Sequence, residues 1–312
     1  MKKLLLGILL IFTSLYSSTI YAAGIAPEVD ILVWHVSQEP TSTWANIAQT
    51  GGSHTFTLKA PNVDFNWDVG VKIGALYEAS SGLWDSGLYW TYFKAKTTSN
   101  VANSLQLVFP EFFSGFISQN FFFGGSLDWR LLMNMFDYEL GHKFNVGKSF
   151  ALRPFIGIKG GTIYQTINCD WNAILYTATE KVKHNFFGIG PSFGIDTTWK
   201  FYKNFSLRGD FSAALLWGNW KISDTYSRPY VPFVVDPTTI TTDMHHTQLG
   251  TLMLDYFLGL AWNATKKPGL SLQIGYEVQW WTNQLRMPTF QQLPVHGDLT
   301  LQGATCRIIL DF

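Results

Sequence analysis

Along most of this chain, apolar and polar residues alternate with a period of two. The clearest segment sets Phe65, Trp67, Val69, Val71, Ile73, Ala75 and Tyr77 on one face, and Asn66, Asp68, Gly70, Lys72, Gly74 and Glu78 on the other. Successive side chains of a strand point to opposite sides, so this pattern predicts a β-strand with one apolar face. The C-terminal stretch GDLTLQGATCRIILDF repeats it: Leu310, Ile308, Cys306 and Ala304 alternate with Asp311, Ile309, Arg307 and Thr305. It finishes on an aromatic, Phe312. A closing strand with its apolar face against lipid is the expectation, with Phe312 as its assembly signal.

Eight further segments predict strands. They are Val29 to Val36, Trp84 to Lys96, Leu127 to Phe144, and five more around Leu152–Gln165, Phe187–Trp199, Phe205–Trp217, Thr251–Trp262 and Leu272–Trp280. The fourth of the ten, Leu127 to Phe144, changes phase partway, which predicts a bulge. Its lower half sets Phe136, Tyr138 and Leu140 against Asp137 and Glu139. Connections alternate in length. Those after even-numbered strands are short, as in NVGKS, KFYKN and ATKKPG, and those after odd-numbered strands are long. An up-and-down barrel with periplasmic termini has this alternation, with short periplasmic turns and long external loops. The reading is therefore all-β: a transmembrane antiparallel β-barrel of about ten strands. At ~3.3 Å per residue the strands exceed the ~25 Å apolar band, so the barrel should project past the membrane.

Composition agrees. Aromatic residues make up 16% of the chain and charged residues only 14%, against about a quarter charged in soluble domains. The N-terminus, MKKLLLGILLIFTSLYSSTIYAA, reads as a secretory signal peptide over residues 1–23, leaving 24–312 as one barrel domain. Its apolar run, Leu4 to Phe12, is too short to span a bilayer. A zero formal net charge points away from nucleic acid. Cys306 is expected to face lipid and Cys169 to sit in a loop, apart from each other and unbridged.

From Phe65 onward the chain resembles the Legionella major outer membrane protein family, with MOMP-like relatives in Chlamydia-related bacteria. The phrases that carry the likeness are FNWDVGVKIGALYE, LWDSGLYWTYFKAK, FDYELGHKF, LRPFIGIKGG, FGIGPSFGIDTTW, LLWGNWKIS and HGDLTLQGATCRIILDF. The resemblance implies an abundant barrel of a Gram-negative outer membrane, generally regarded as a porin, with exposed loops implicated in host contact. Outer-membrane lipid, lipopolysaccharide and the barrel-assembly machinery are the expected partners, with other barrel subunits and host surface molecules as candidates. No cofactor, metal site or catalytic motif is implied.

The polar faces supply candidate lumen-lining residues: Asp68, Lys72, Asp137, Glu139, Arg153, Lys159, Asp196, Arg208, Asp210, Asp255, Glu277 and Arg307. Acids outnumber bases on these faces, which suits a cation-preferring pore. The alternative is a closed lumen in which the charges pair across strands, since an isolated buried charge is too costly. Strand number leaves both open, ten lying nearer the filled eight-stranded limit than the open porins. Porin-like conduction of small solutes or ions, and a non-conducting structural or adhesin barrel, are therefore carried together.

Two loops stand out. NSLQLVFPEFFSGFISQNFFFGG holds Phe109, Phe112, Phe113, Phe116, Phe121, Phe122 and Phe123. So apolar an external loop must bury, as a lid, against a partner, or as a hairpin in the wall that would raise the strand count to twelve. Asp243, His245 and His246 precede the eighth strand at the external rim, a grouping that could bind metal or serve as base and orienter. No convincing nucleophile or facing acid pair accompanies it, so an ordinary polar loop and a non-enzyme are the reading.

Overall fold

The computed structural model describes residues 24–39, 44–51, 55–59, 63–79, 84–102, 107–110, 122–232, 237–264, 269–287 and 295–311. The leader, Phe112, Phe113, Phe116, Phe121 and Phe312 lie outside them. The strands are β1 (Ile25–Glu39), β2 (Ala45–Gly51), β3 (Thr55–Lys59), β4 (Trp67–Glu78), β5 (Trp84–Ala102), β6 (Leu107–Pro110), β7 (Gly124–His142), β8 (Phe144–Val146), β9 (Phe150–Asn172), β10 (Thr177–Tyr202), β11 (Phe205–Arg228), β12 (Thr238–Asn263), β13 (Gly269–Met287) and β14 (Val295–Asp311).

Ten of them form one closed antiparallel barrel, in ring order β1, β4, β5, β7, β9, β10, β11, β12, β13, β14. First and last strands seal it, with Asp30 opposite Arg307 and Trp34 opposite Gly303. Closure leaves no lipid-exposed ladder edge, the condition for crossing a bilayer with strands. β8 lines the β9 end beside the Gly147 turn, where φ is +77° and a side chain would be strained. Among the described residues, the apolar loop after β5 contributes no wall strands. Its β6 pairs with β2 in a separate external sheet of order β3-β2-β6, and Val108 bridges to Phe122.

The outer wall carries an apolar belt: Val69 and Ile73 on β4, Phe136 and Tyr138 on β7, Ile156 and Ile158 on β9, Ile189 and Phe193 on β10, and Leu258 and Ile274 on β12 and β13 are all exposed. Aromatic residues border it, with Trp67, Phe187 and Trp217 at the end of the long loops and Tyr77, Trp84 and Trp199 at the end of the short turns. This is the girdle arrangement of outer-membrane barrels.

Outside the belt the apolar face changes sides. On β10, Thr179, Lys181 and Lys183 face outward while Ala178, Val182 and Phe186 are buried inside. On β11, Lys221 faces out and Trp220 and Ile222 face in. The expected bulge in Leu127 to Phe144 has the same origin. The register of β7 with both neighbours runs unbroken through the segment. Leu127, Trp129, Leu131, Met133 and Met135 pack inward above the belt, and Phe136, Tyr138 and Leu140 face lipid within it. Lipid solvates apolar groups and water does not, so the same strand sends its hydrophobic residues outward in one medium and inward in the other. Actual register shifts fall elsewhere, between Lys200 and Tyr202, between Leu216 and Trp217 and between Trp281 and Leu285.

The inward residues above the belt form one core with the external sheet, including Trp44, Phe65, Trp129, Trp171 and Trp220. Phe122 joins it, its ring stacked on Trp171 at 5.9 Å. Phe109 and Phe123 are half-buried.

Candidate functional site: the barrel lumen

The lumen has two storeys. The lower one, inside the membrane belt, is built from charges that the period-two faces of all ten barrel strands direct inward. Arg153 on β9 reaches Asp85 at 2.7 Å, Glu139 at 3.0 Å and Asp196 at 2.6 Å. Arg307 on β14 meets Glu28 and Asp30 at 3.2 Å each, and crosses to Asp210 on β11 at 2.8 Å. Lys159 pairs with Asp137 at 3.1 Å. Arg208 stands farther from Asp210, at 3.8 Å. Glu277 accepts a hydrogen bond from the Thr305 hydroxyl at 2.7 Å, and the Gln279 amide donates to Asp255 at 3.2 Å. Such multiply shared pairs lower the large cost of holding charges away from water.

Lys72 is different. Its ammonium lies over the Tyr89 ring, 4.9 Å from the centroid, and forms no ion pair among the described residues. It lines a cavity of about 60 Å³ together with Glu28, Glu139, Asp255 and Glu277. That volume takes a few waters, each needing roughly 10–15 Å³, and no larger solute. Asp68 stands apart from the cluster, accepting from the Lys96 backbone N–H at 3.3 Å.

Glu28, Asp30 and Asp85 belong to this network without having been singled out in the sequence. The first strand reads as nearly continuously apolar because Leu32, Trp34 and Val36 fill the upper lumen on the same face as Asp30. That run hides the alternation which would have placed the two acids. Asp85 pairs with Gly141 near the periplasmic end of β5, before the alternation of its strand becomes clear.

The upper storey is closed by amides, aromatics and a strap. The Gln38 amide donates to Gln165 at 2.8 Å, and Gln165 donates in turn to Gln284 at 3.2 Å. These residues come from β1, β9 and β13, each four steps from the next around the ring. The chain of amides therefore crosses the lumen twice. Trp129 donates to the same Gln165 oxygen at 2.9 Å. Beyond Trp281, β13 leaves β12 and turns inward through Asn283, whose φ is +51°. This places Gln284, Leu285 and Arg286 inside, all essentially unexposed. The Trp220 indole donates to the Gln284 carbonyl at 3.1 Å, and the Arg286 backbone N–H to His184 at 3.2 Å.

Near the external end, Glu180 and Asp224 are buried side by side on β10 and β11, and Trp171 donates to Glu180 at 2.8 Å. Burial raises both carboxyls, Asp224 to about 7 and Glu180 well above the usual range, with the neighbouring Asp224 charge adding to the rise. Cys169 is buried on β9 beside them rather than in a loop, and Cys306 faces outward in the belt. Asp243 and His245 face outward on β12, while His246 turns in to Arg286 at 3.4 Å. The three do not converge. Among the described residues no group of acids, histidines and cysteines is placed to hold a metal ion.

A closed antiparallel barrel with a lipid-facing belt and internal charges is therefore the molecule's plan. A family model described as Legionella pneumophila major outer membrane protein precursor matches residues 27–311. The chain belongs to the Legionella major outer membrane protein family. Membership and barrel together place this family member in a Gram-negative outer membrane. No curated protein matches the sequence. Among solved structures, the outer membrane protease OmpT of Escherichia coli superposes with a TM-score of 0.49 at 9% identity, covering 95% of this chain and 99% of that one. The toluene transporter TodX of Pseudomonas putida superposes with a TM-score of 0.34 at 9% identity, covering 93% of this chain and 90% of that one.

Proposed function

We propose that this family member is a non-conducting barrel in the state described here, a structural and surface-contact protein that works through its external side. The observation that carries the reading is the Gln38–Gln165–Gln284 amide chain across the upper lumen. Below it most of the charges are paired and the cavity among them is about 60 Å³, opening to a wider one of about 440 Å³ only at the short-turn end beside Arg208, Ser206 and Gln273. A barrel of ten strands lies nearer the filled eight-stranded limit than the open porins. The non-enzymatic reading is supported by the divergence of Asp243 and His245 from His246.

The second reading is a gated path for small solutes. It is favoured by the strap from Thr282 to Met287, a short segment whose inward turn accounts for much of the upper closure. Planar-bilayer recording of the purified, refolded protein separates the two. Absence of stepwise conductance across a range of voltages is the result expected of the closed barrel. Stable conductance steps would instead establish the channel reading.

A further inference from the structure

The outer wall carries a feature that the lumen does not explain. A groove of about 480 Å³ opens on the lipid side of β7, β9 and β10, within the apolar belt. Its floor is the Gly160–Gly161 pair, and Phe136, Tyr138, Ile158, Phe187 and Ile189 wall it. Gly160 pairs with Phe136 on one side and Ile189 on the other, so the missing side chain is what leaves the hollow.

Directly along the same three strands toward the outside lies a basic cluster. Thr166 on β9 pairs with Arg130 on β7 and with Lys183 on β10, and Arg130 pairs in turn with Lys96 on β5. These side chains face outward, as does Lys94. Asp128 takes the Arg130 guanidinium at 2.8 Å and the Lys96 ammonium at 3.0 Å. Lys94 and Lys183 have no carboxylate partner among the described residues. The cluster keeps a positive balance. From Thr162 at the upper end of the groove to Thr166 is about 13 Å along the strand. Tyr164, exposed and outward, stands between them at the level where aromatic side chains meet headgroups.

We propose that this wall is a binding site for an acyl lipid with a phosphorylated headgroup in the external leaflet. One acyl chain lies in the groove over Gly160, and the phosphate meets Lys183, Arg130, Lys96 and Lys94. The hollow faces hydrocarbon, so its occupant is a chain already dissolved there. The charge above it is the complement of a phosphate and the wrong sign for a neutral lipid. Lysine and arginine both donate charge-assisted hydrogen bonds to phosphate, arginine in a bidentate fork.

The test uses the full-length refolded protein, freed of lipid in a zwitterionic detergent, with purified lipid A as the probe. Native mass spectrometry and the thermal unfolding transition are read together. Wild type is expected to retain one lipid A per barrel and to unfold at a higher temperature when it is added. Inorganic phosphate should give no shift, which separates a lipid site from a site for the free anion. K183Q combined with R130Q is expected to weaken retention by roughly tenfold or more, the scale of two lost charge-assisted contacts. T162W, which fills the upper groove, is expected to weaken it independently, provided heat-modifiable migration shows that the variant has folded. K200Q, at the opposite end of β10, removes a positive charge far from the cluster and should leave retention unaltered. Wild-type retention in the folded double variant, equal protection by inorganic phosphate, or an equal loss in K200Q would each overturn the site.

Discussion

The guanidinium of Arg286 lies over the indole of Trp220, 3.6 Å from the ring centroid, although the two residues belong to strands two places apart in the barrel. The contact exists because β13 abandons β12 beyond Trp281 and folds its end across the lumen. A cation over an aromatic face contributes on the order of 0.5–2 kcal/mol, the larger values where water is excluded. The strap is thus held by this contact together with its continuing ladder to β14, where Leu285 pairs with Gly297 and Arg286 with His296.

Replacing Arg286 with alanine tests whether the strap is a closure. R286A is expected to keep heat-modifiable migration, since the wall ladders are untouched, and to show intermittent conductance in planar bilayers where the wild type shows none. A variant as silent as wild type would mean that the amide chain and the charged storey close the lumen without the strap.

The lower storey gives a stability prediction. Arg153 serves Asp85, Glu139 and Asp196 at once. Removing the cation leaves buried Asp85 and half-buried Glu139 and Asp196 without it, and breaking a buried pair by deleting one partner costs about 3–5 kcal/mol. R153M should therefore lower the urea midpoint of the refolded barrel strongly. D85N combined with R153M is expected to recover part of the loss, because one uncompensated charge goes with it. Equal midpoints for wild type and R153M would show that the network contributes little.

A pH dependence follows from the external acid pair. Asp224 lies beyond Trp217, above the belt, and burial brings its carboxyl from 3.8 to about 7. Its folded-state value is raised, so its contribution to stability is fully present below the unfolded value and is lost as pH rises through about 7. Glu180, also raised, acts in the same direction. The barrel should be more resistant to urea near pH 4 than near pH 8 in respect of these groups. D224N, which stays neutral throughout, should flatten that part of the profile. An unchanged profile in the folded variant would remove the pair from the explanation.

Topology can be checked by impermeant thiol labelling of whole cells. The native thiols give little background. Burial pushes the Cys169 thiol well above its usual range, away from the reactive thiolate, and Cys306 faces the lipid belt. T179C, outward on β10 above the belt, is expected to label, and K148C, in the turn between β8 and β9, is not. The reverse pattern would turn the barrel over.

The sequence alone determined the part of this protein that touches lipid. Within the belt one side of each strand must be apolar, and strands such as Trp67 to Tyr77 and Leu272 to Trp280 announce it by strict alternation, whereas Phe65, read on the same face, packs into the internal core. The connection lengths then follow from which turns lie inside the cell envelope and which outside. What the alternation does not contain is direction. A period of two is unchanged when the two faces are exchanged, so the sequence could not say that Trp129 and Trp220 point inward while Phe136 and Trp217 point outward. That choice belongs to the surroundings, hydrocarbon at one height and water at another, and it gave the look of a bulge to a segment whose register runs unbroken from Leu127 to Gly141. Nor does a strand record which distant residue it will face. Only closure of the ring brought Gln38 to Gln165, Arg307 to Asp210 and Arg286 to Trp220, because a narrow barrel puts side chains from opposite walls within reach of one another.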